Sequence, residues 1–163
     1  MPDTPTPLTK HLILWRHADA ELCALGQNDM ARPLTAKGLK QSRAMAGWLK
    51  KHLPKNTVVV VSPALRALQT AEALNHQVII EDSLRPDTSV AEVLRYLHQH
   101  TAENMLLVGH QPWLGELIAA LLDAGSGPIS VKKGAVWWLR LRQPGDTTYQ
   151  LLTVQSPLLL NTD

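Results

Sequence analysis

A single cysteine, Cys23, among 163 residues excludes an internal disulfide, and a reducing compartment suits such a chain. Long apolar runs are missing too, so no segment approaches the length that crosses a bilayer. The stretch after Lys10-His11 holds only four apolar residues, too short for the core of a secretory signal. Charge of one sign is lacking as well: sixteen Lys and Arg stand against fourteen Asp and Glu, for a net +2. No basic run exceeds two residues, so neither nucleic acid nor a membrane surface is an expected partner. Several catalytic loops are also absent: no Walker-type glycine loop, no Gly-x-Gly-x-x-Gly after a strand, no Gly-x-Ser-x-Gly, and no Cys-x5-Arg around Cys23.

What remains is an ordinary globular composition, 45% hydrophobic and 18% charged. A chain of this length fits one domain that buries roughly two thirds of its unfolded surface. The reading is a flexible Pro/Thr-rich tail over residues 1–10, then one domain over 11–160, in a cytoplasmic enzyme or binding protein.

Three nearly continuous apolar runs, Leu12 to Trp15, Val58 to Val61 and Met105 to Val108, read as strands buried on both faces. Val78 to Ile80 makes a further short strand, and Ala135 to Leu141 with Thr148 to Val154 a closing hairpin across Pro144-Gly145-Asp146. Helical patterns fill the gaps. Leu39, Ala46, Leu49 and Leu53 mark one face, ended by Pro54, and Leu65, Leu68 and Ala71 another, opened by Ser62-Pro63 as N-cap and first residue. Val90, Val93, Leu94 and Leu97 follow a capping box of Ser89 and Glu92. Leu114, Leu117, Ile118, Leu121 and Leu122 lie between Pro112 and Gly125-Ser126-Gly127-Pro128. The alternation predicts an α/β fold: a three-layer α/β/α sandwich with a mostly parallel central sheet.

In such sheets ligands bind beyond the carboxyl ends of the strands. Here those ends read Arg16-His17, Ser62-Pro63 with Arg66 one helical turn on, and Gly109-His110. Taken singly, each residue has a plainer use: a structural histidine, a surface arginine, a capping Asp19 or Thr35, a solvated Arg32-Pro33 loop. Together, two histidines and two arginines at three strand ends describe a phosphate site, reinforced by helix N-termini that attract anions. His17, Asp19 and His110 form a conceivable metal set, but the flanking guanidiniums repel a cation, so no metal or other cofactor is expected. His52, His76, His98 and His100 read as solvated positions. Trp113 suits a wall beside His110 or the core equally.

Four blocks carry a resemblance: Leu14-Trp15-Arg16-His17-Ala18-Asp19-Ala20, Arg32-Pro33-Leu34-Thr35-Ala36-Lys37-Gly38, Val61 through Ala71, and Leu107-Val108-Gly109-His110-Gln111-Pro112. In order they resemble the histidine phosphatase, or phosphoglycerate mutase-like, superfamily, and most of all its small SixA-type phosphohistidine phosphatases. The resemblance implies a phosphoglycerate mutase-like fold and a metal-independent hydrolase with His17 as the transiently phosphorylated nucleophile. It further implies that Arg16, Arg66 and a protonated His110 surround the phosphoryl oxygens, with Arg32 as an extra contact. His17 is then expected to donate its other ring nitrogen to a backbone carbonyl. Ala18 departs from the superfamily's usual glycine, a tolerated methyl unless the backbone there needs positive φ.

The family's glutamate acid has no clear match within Glu81 to Asp87. Asp19 is the preferred proton donor by position, with Asp87 and solvent in reserve. The substrate implied is a phosphohistidine on a signalling or phosphotransfer protein, since no long insertion supplies a lid for a small ligand. A small-molecule phosphomonoesterase and a non-catalytic phosphate-binding module are the alternatives.

Overall fold

The apolar runs do form the inner strands. The computed structural model describes residues 8–125, 127 and 129–160. Within them β1 (His11–Arg16), β2 (Thr57–Val61), β3 (Val78–Ile80), β4 (Asn104–Gly109), β5 (Val136–Arg140) and β6 (Gln150–Gln155) make one sheet in the order β3-β2-β4-β1-β5-β6. The pairs β2–β3, β2–β4 and β1–β4 are parallel, whereas β5 runs antiparallel to β1 and β6 to β5.

Both faces of the central strands are covered. Leu12, Leu14, Met105 and Leu107 pack with Val93, Leu114, Leu117 and Ile118 of α3 (Val90–Gln99) and α4 (Trp113–Leu122). Their neighbours Ile13, Trp15, Leu106 and Val108 face Met45, Leu49, Ala67 and Ala71 of α1 (Ala36–His52) and α2 (Leu65–Glu72). Two-sided burial is why these strands lack alternation, and each large side chain withdrawn from water contributes roughly 1.5–3 kcal/mol. The result is the expected three-layer α/β/α arrangement.

Several local expectations shift. In α1 the buried face is Gly38, Ser42, Met45, Ala46 and Leu49, while Leu39 is 40% exposed. Helix α2 starts at Leu65 with Ala64 as N-cap, because the Ser62 hydroxyl, which accepts from Ala64 N, also bonds His110. Ser89 does cap α3 by accepting from Glu92 N, but the Glu92 carboxylate faces Arg95 instead of completing a capping box. Residues 1–7 of the expected tail, Ser126 and Pro128 of the helix stop, and residues from Asn161 onward lie outside the described residues. Leu8 to Lys10 depart from the tail reading. Leu8 packs on the core, Thr9 is buried and its carbonyl accepts from the Tyr149 hydroxyl, and Lys10 N donates to Glu103 O.

Candidate active site

Strand register brings the three ends together. Arg16 is the partner of Gly109 across β1–β4, and Val61 of Val108 across β2–β4, so His17, His110 and Ser62 leave the sheet side by side. Backbone bonds extend the ladder one step: His17 N donates to Gly109 O at 3.0 Å and Ser62 N to Val108 O at 3.1 Å. The two imidazole centroids are 5.1 Å apart, tilted by 49°.

The proton on His17 is placed by its neighbour. Its Nδ1 lies 2.7 Å from Ala18 O, and a carbonyl only accepts, so Nδ1–H donates and Nε2 keeps its lone pair. Burial pulls the His17 pKa down to about 4; the bond to Ala18 O opposes this, and the charges of Arg66, Arg16 and Arg32 reinforce it. Ala18 N in turn donates to Thr70 Oγ1, and the same hydroxyl donates to Arg66 O at 2.7 Å. Ala18 is absent from the positive-φ residues, so nothing in its backbone calls for glycine.

His110 is 1% exposed, with Nε2 2.7 Å from Ser62 Oγ. Burial, then the nearby His17 and the charges of Arg66, Arg16 and Arg32, push its pKa to about 2. Burial above all, then His17 and the three guanidiniums, thus favours a neutral imidazole in the free protein over the protonated His110 expected from the sequence. Trp113 takes the core option: it is fully buried, against Gly109, and donates to Arg85 O.

The arginines are fixed by carbonyls and one carboxylate. Arg16 Nη1 donates to Val131 O at 2.7 Å, and Arg66, 3% exposed on the buried face of α2, donates from Nη1 to Asp29 O and from Nη2 to Asp29 Oδ2. Asp29 Oδ1 accepts from Arg32 Nε at 2.9 Å, and Arg32 Nη1 donates to Glu21 O. Arg16 Nε, Arg66 Nε and His110 Nδ1 are buried without a partner, three of the four such side-chain atoms among the described residues. Orphaned polar atoms rarely cluster without a functional reason.

Asp19, the proton donor preferred from the sequence, is held by two partners that favour its ionised form. Its Oδ2 accepts from Thr35 Oγ1 at 2.7 Å and its Oδ1 from Lys133 Nζ at 3.1 Å. These two bonds, the first above all, hold its carboxyl below the usual range, and a carboxylate so held gives up no proton near neutrality. Asp87 is exposed and faces Arg85.

Thr70 and Asp29 have no place in the sequence-based site, and Ser62 stands there only as a strand end and helix cap. Thr70 stands four residues after Arg66, on the same helix face, and Asp29 three before Arg32; spacing could have found both.

Residues 12–89 match the profile of the histidine phosphatase superfamily (branch 1). The chain is 35% identical over 147 residues to the phosphohistidine phosphatase SixA of Escherichia coli strain K12, covering 85% of this chain and 89% of that one. The chain belongs to the histidine phosphatase superfamily. A SixA homolog from Haemophilus influenzae is 28% identical over 165 residues, covering 91% of this chain and 98% of its own. The solved structure of the protein histidine phosphatase SixA with tungstate superposes with a TM-score of 0.76 at 31% identity, covering 91% of this chain and 97% of that one. This histidine phosphatase superfamily member is thus a hydrolase of the SixA type, on a phosphoglycerate mutase-like fold. Among its described residues no helix is long and apolar enough to cross a membrane.

Proposed function

We propose that this chain is a metal-independent phosphohistidine phosphatase, acting on a signalling or phosphotransfer protein through a transient phosphohistidine at His17. One observation carries the reading: His17 is buried and neutral, with Nδ1 committed to Ala18 O and two guanidiniums beside it.

The Nε2 lone pair attacks phosphorus as the bond to the substrate's imidazole nitrogen breaks. The electron pair leaves with that imidazole. Water then attacks the phosphorus, the bond to Nε2 breaks, inorganic phosphate departs, and His17 returns to its starting form. Positive charge that develops on the His17 ring is spread through Nδ1–H toward Ala18 O.

Arg16 and Arg66 are the forks that match an oxyanion, with Arg32 at the rim. Their unpaired Nε atoms and His110 Nδ1 are donors a phosphoryl oxygen would satisfy. The arriving dianion supplies the negative charge that lets His110 take up a proton, so positive charge appears there with the ligand. Tungstate, a tetrahedral oxyanion, sits in the SixA structure with which this chain superposes.

A phosphohistidine also explains how the site works without Asp19. The leaving imidazole, protonated on its distal nitrogen, departs as a neutral base, whereas an alkoxide from a phosphomonoester needs a donor. The Escherichia coli relative, a phosphohistidine phosphatase, supports this substrate class. A reducing cytoplasm, where a lone thiol persists, is the compartment this reading assumes.

The test is a rapid acid-free quench with a carrier domain bearing labelled phosphohistidine. An acid-labile label on His17 is expected. Turnover surviving His17→Ala would sink the mechanism. Preference for sugar or nucleotide phosphates over the carrier domain would move the substrate to a small metabolite.

A further inference from the structure

Next to the histidine pair runs an open groove of about 580 Å³, which shares Arg16 and Asp19 with the site. Its walls come from the start of α1 and from the loop between α4 and β5, and its lip from Pro157 and Leu158. Lys37, Lys40, Lys132 and Lys133 line it beside Arg16, with Asp19 the single acid. Five of the sixteen basic residues and one of the fourteen acidic residues are therefore here, which leaves eleven basic against thirteen acidic elsewhere. The chain's positive surplus resides in this groove.

The placement is held rigidly to the nucleophile. Trp15 Nε1 donates to Gly134 O, Gly134 N to His17 O, and Arg16 Nη1 to Val131 O, so the loop that carries Lys132 and Lys133 is riveted to the end of β1. Lys133 is further tied to Asp19, but Lys37, Lys40 and Lys132 are exposed and absent from the ion pairs found among the described residues. Lys37 stands in a first helical turn that holds no acid. A cation there works against the helix dipole, so its presence serves something other than α1.

Two ligand chemistries suit a cationic groove, a free polyanion and an acidic protein segment. The lip favours the second: Leu158 is 84% exposed beside the lysines, and an apolar side chain adds nothing to binding a small anion. We infer that this groove docks an amphipathic segment of the phosphohistidine-bearing partner whose exposed face carries carboxylates and an apolar residue. The inference rests on the proposed protein substrate and adds what selects it: carboxylates flanking the phosphohistidine, steered by the lysines before the phosphoryl group reaches Arg16.

The test uses the triple variant Lys37→Glu, Lys40→Glu, Lys132→Glu and three probes. These are a histidine-phosphorylated carrier domain with acidic flanks, the same domain with those acids changed to amides, and phosphoramidate. Expected is a fall of about tenfold or more in kcat/KM on the acidic carrier, with a flattened salt dependence and an unchanged rate on phosphoramidate. Binding of the unphosphorylated acidic carrier, measured by calorimetry, weakens in parallel and reads the groove independently of turnover. Equal kcat/KM on the acidic and amide carriers in the parent protein, or equal loss on phosphoramidate in the variant, overturns the docking role. Failure to hydrolyse either phosphorylated carrier, with binding of the acidic one intact, overturns the proposed substrate and leaves the groove standing.

Discussion

Asp29 joins Arg66 at 3.1 Å through one carboxylate oxygen and Arg32 at 2.9 Å through the other. One side chain thus sets the spacing of two guanidiniums, only one of which is buried. Burial works to raise the Asp29 pKa, but the Arg66 and Arg32 charges win and keep it ionised. Asp29 is half exposed, so its pairs add at most about 1 kcal/mol to stability. Asp29→Asn is expected to lower kcat/KM by about tenfold through loosened forks, with Tm within about 4 °C of the parent. Steady-state kinetics and a thermal melt read the two effects separately. A large Tm loss would recast Asp29 as a structural residue.

The lowered histidines set a pH signature. In the free protein His17 stays neutral down to about pH 4, so the acid limb of kcat/KM belongs well below 6.5. Stability follows the same window. Between about 4 and 6.5 the unfolded chain binds a proton at this position that the folded site excludes. Stability is thus highest above 6.5 and falls as pH drops toward 4. Urea titrations at pH 7 and 4.5 should show a smaller acid loss in His17→Gln than in the parent.

Thr70 links the loop after His17 to α2 with one hydroxyl. Thr70→Val leaves Ala18 N buried and unpaired, which costs about 1–3 kcal/mol. Denaturant midpoints should drop accordingly, and kcat with them, because Ala18 O orients His17. By contrast Ala18→Gly, at a residue with ordinary φ, should keep kcat/KM within a few-fold.

Gly38 marks a backbone contact. A Cβ there would lie 2.0 Å from Asp19 O, so Gly38→Ala must push α1 off the loop that follows His17. Overpacking of this kind costs about 1–3 kcal/mol. Both the melting temperature and kcat should fall, more than in an alanine replacement at Gly47, where no atom lies within 4 Å.

Chelation should do nothing. On the proposed mechanism guanidiniums meet the phosphoryl charge and also repel cations from the histidines, so EDTA is expected to leave turnover unchanged. Loss of activity that returns with a divalent ion would contradict the arginine clamp.

The layers and the strand ends could be read in the sequence because two-sided burial writes itself as unbroken apolar runs, and strand ends follow directly. That Arg16, His17, Arg66 and His110 come together at one edge of the sheet was legible for that reason. The Asp19 surroundings were not legible because sequence adjacency to His17 says nothing of the Thr35 and Lys133 partners that favour its ionised form. The charge state of His110 is not legible for a similar cause: it depends first on burial, then on His17 and three arginines gathered from distant segments. The groove was invisible because Lys37 and Lys132 meet only after folding.

The strand order carries a consequence for assembly. β4 lies between β1 and β2, and neither of those pairs with the other. The strand ladder that sets Arg16 and His17 beside Ser62 is therefore incomplete until Asn104–Gly109 pairs with both neighbours. On the proposed mechanism, activity depends on the strand added last to this ladder, which also delivers His110.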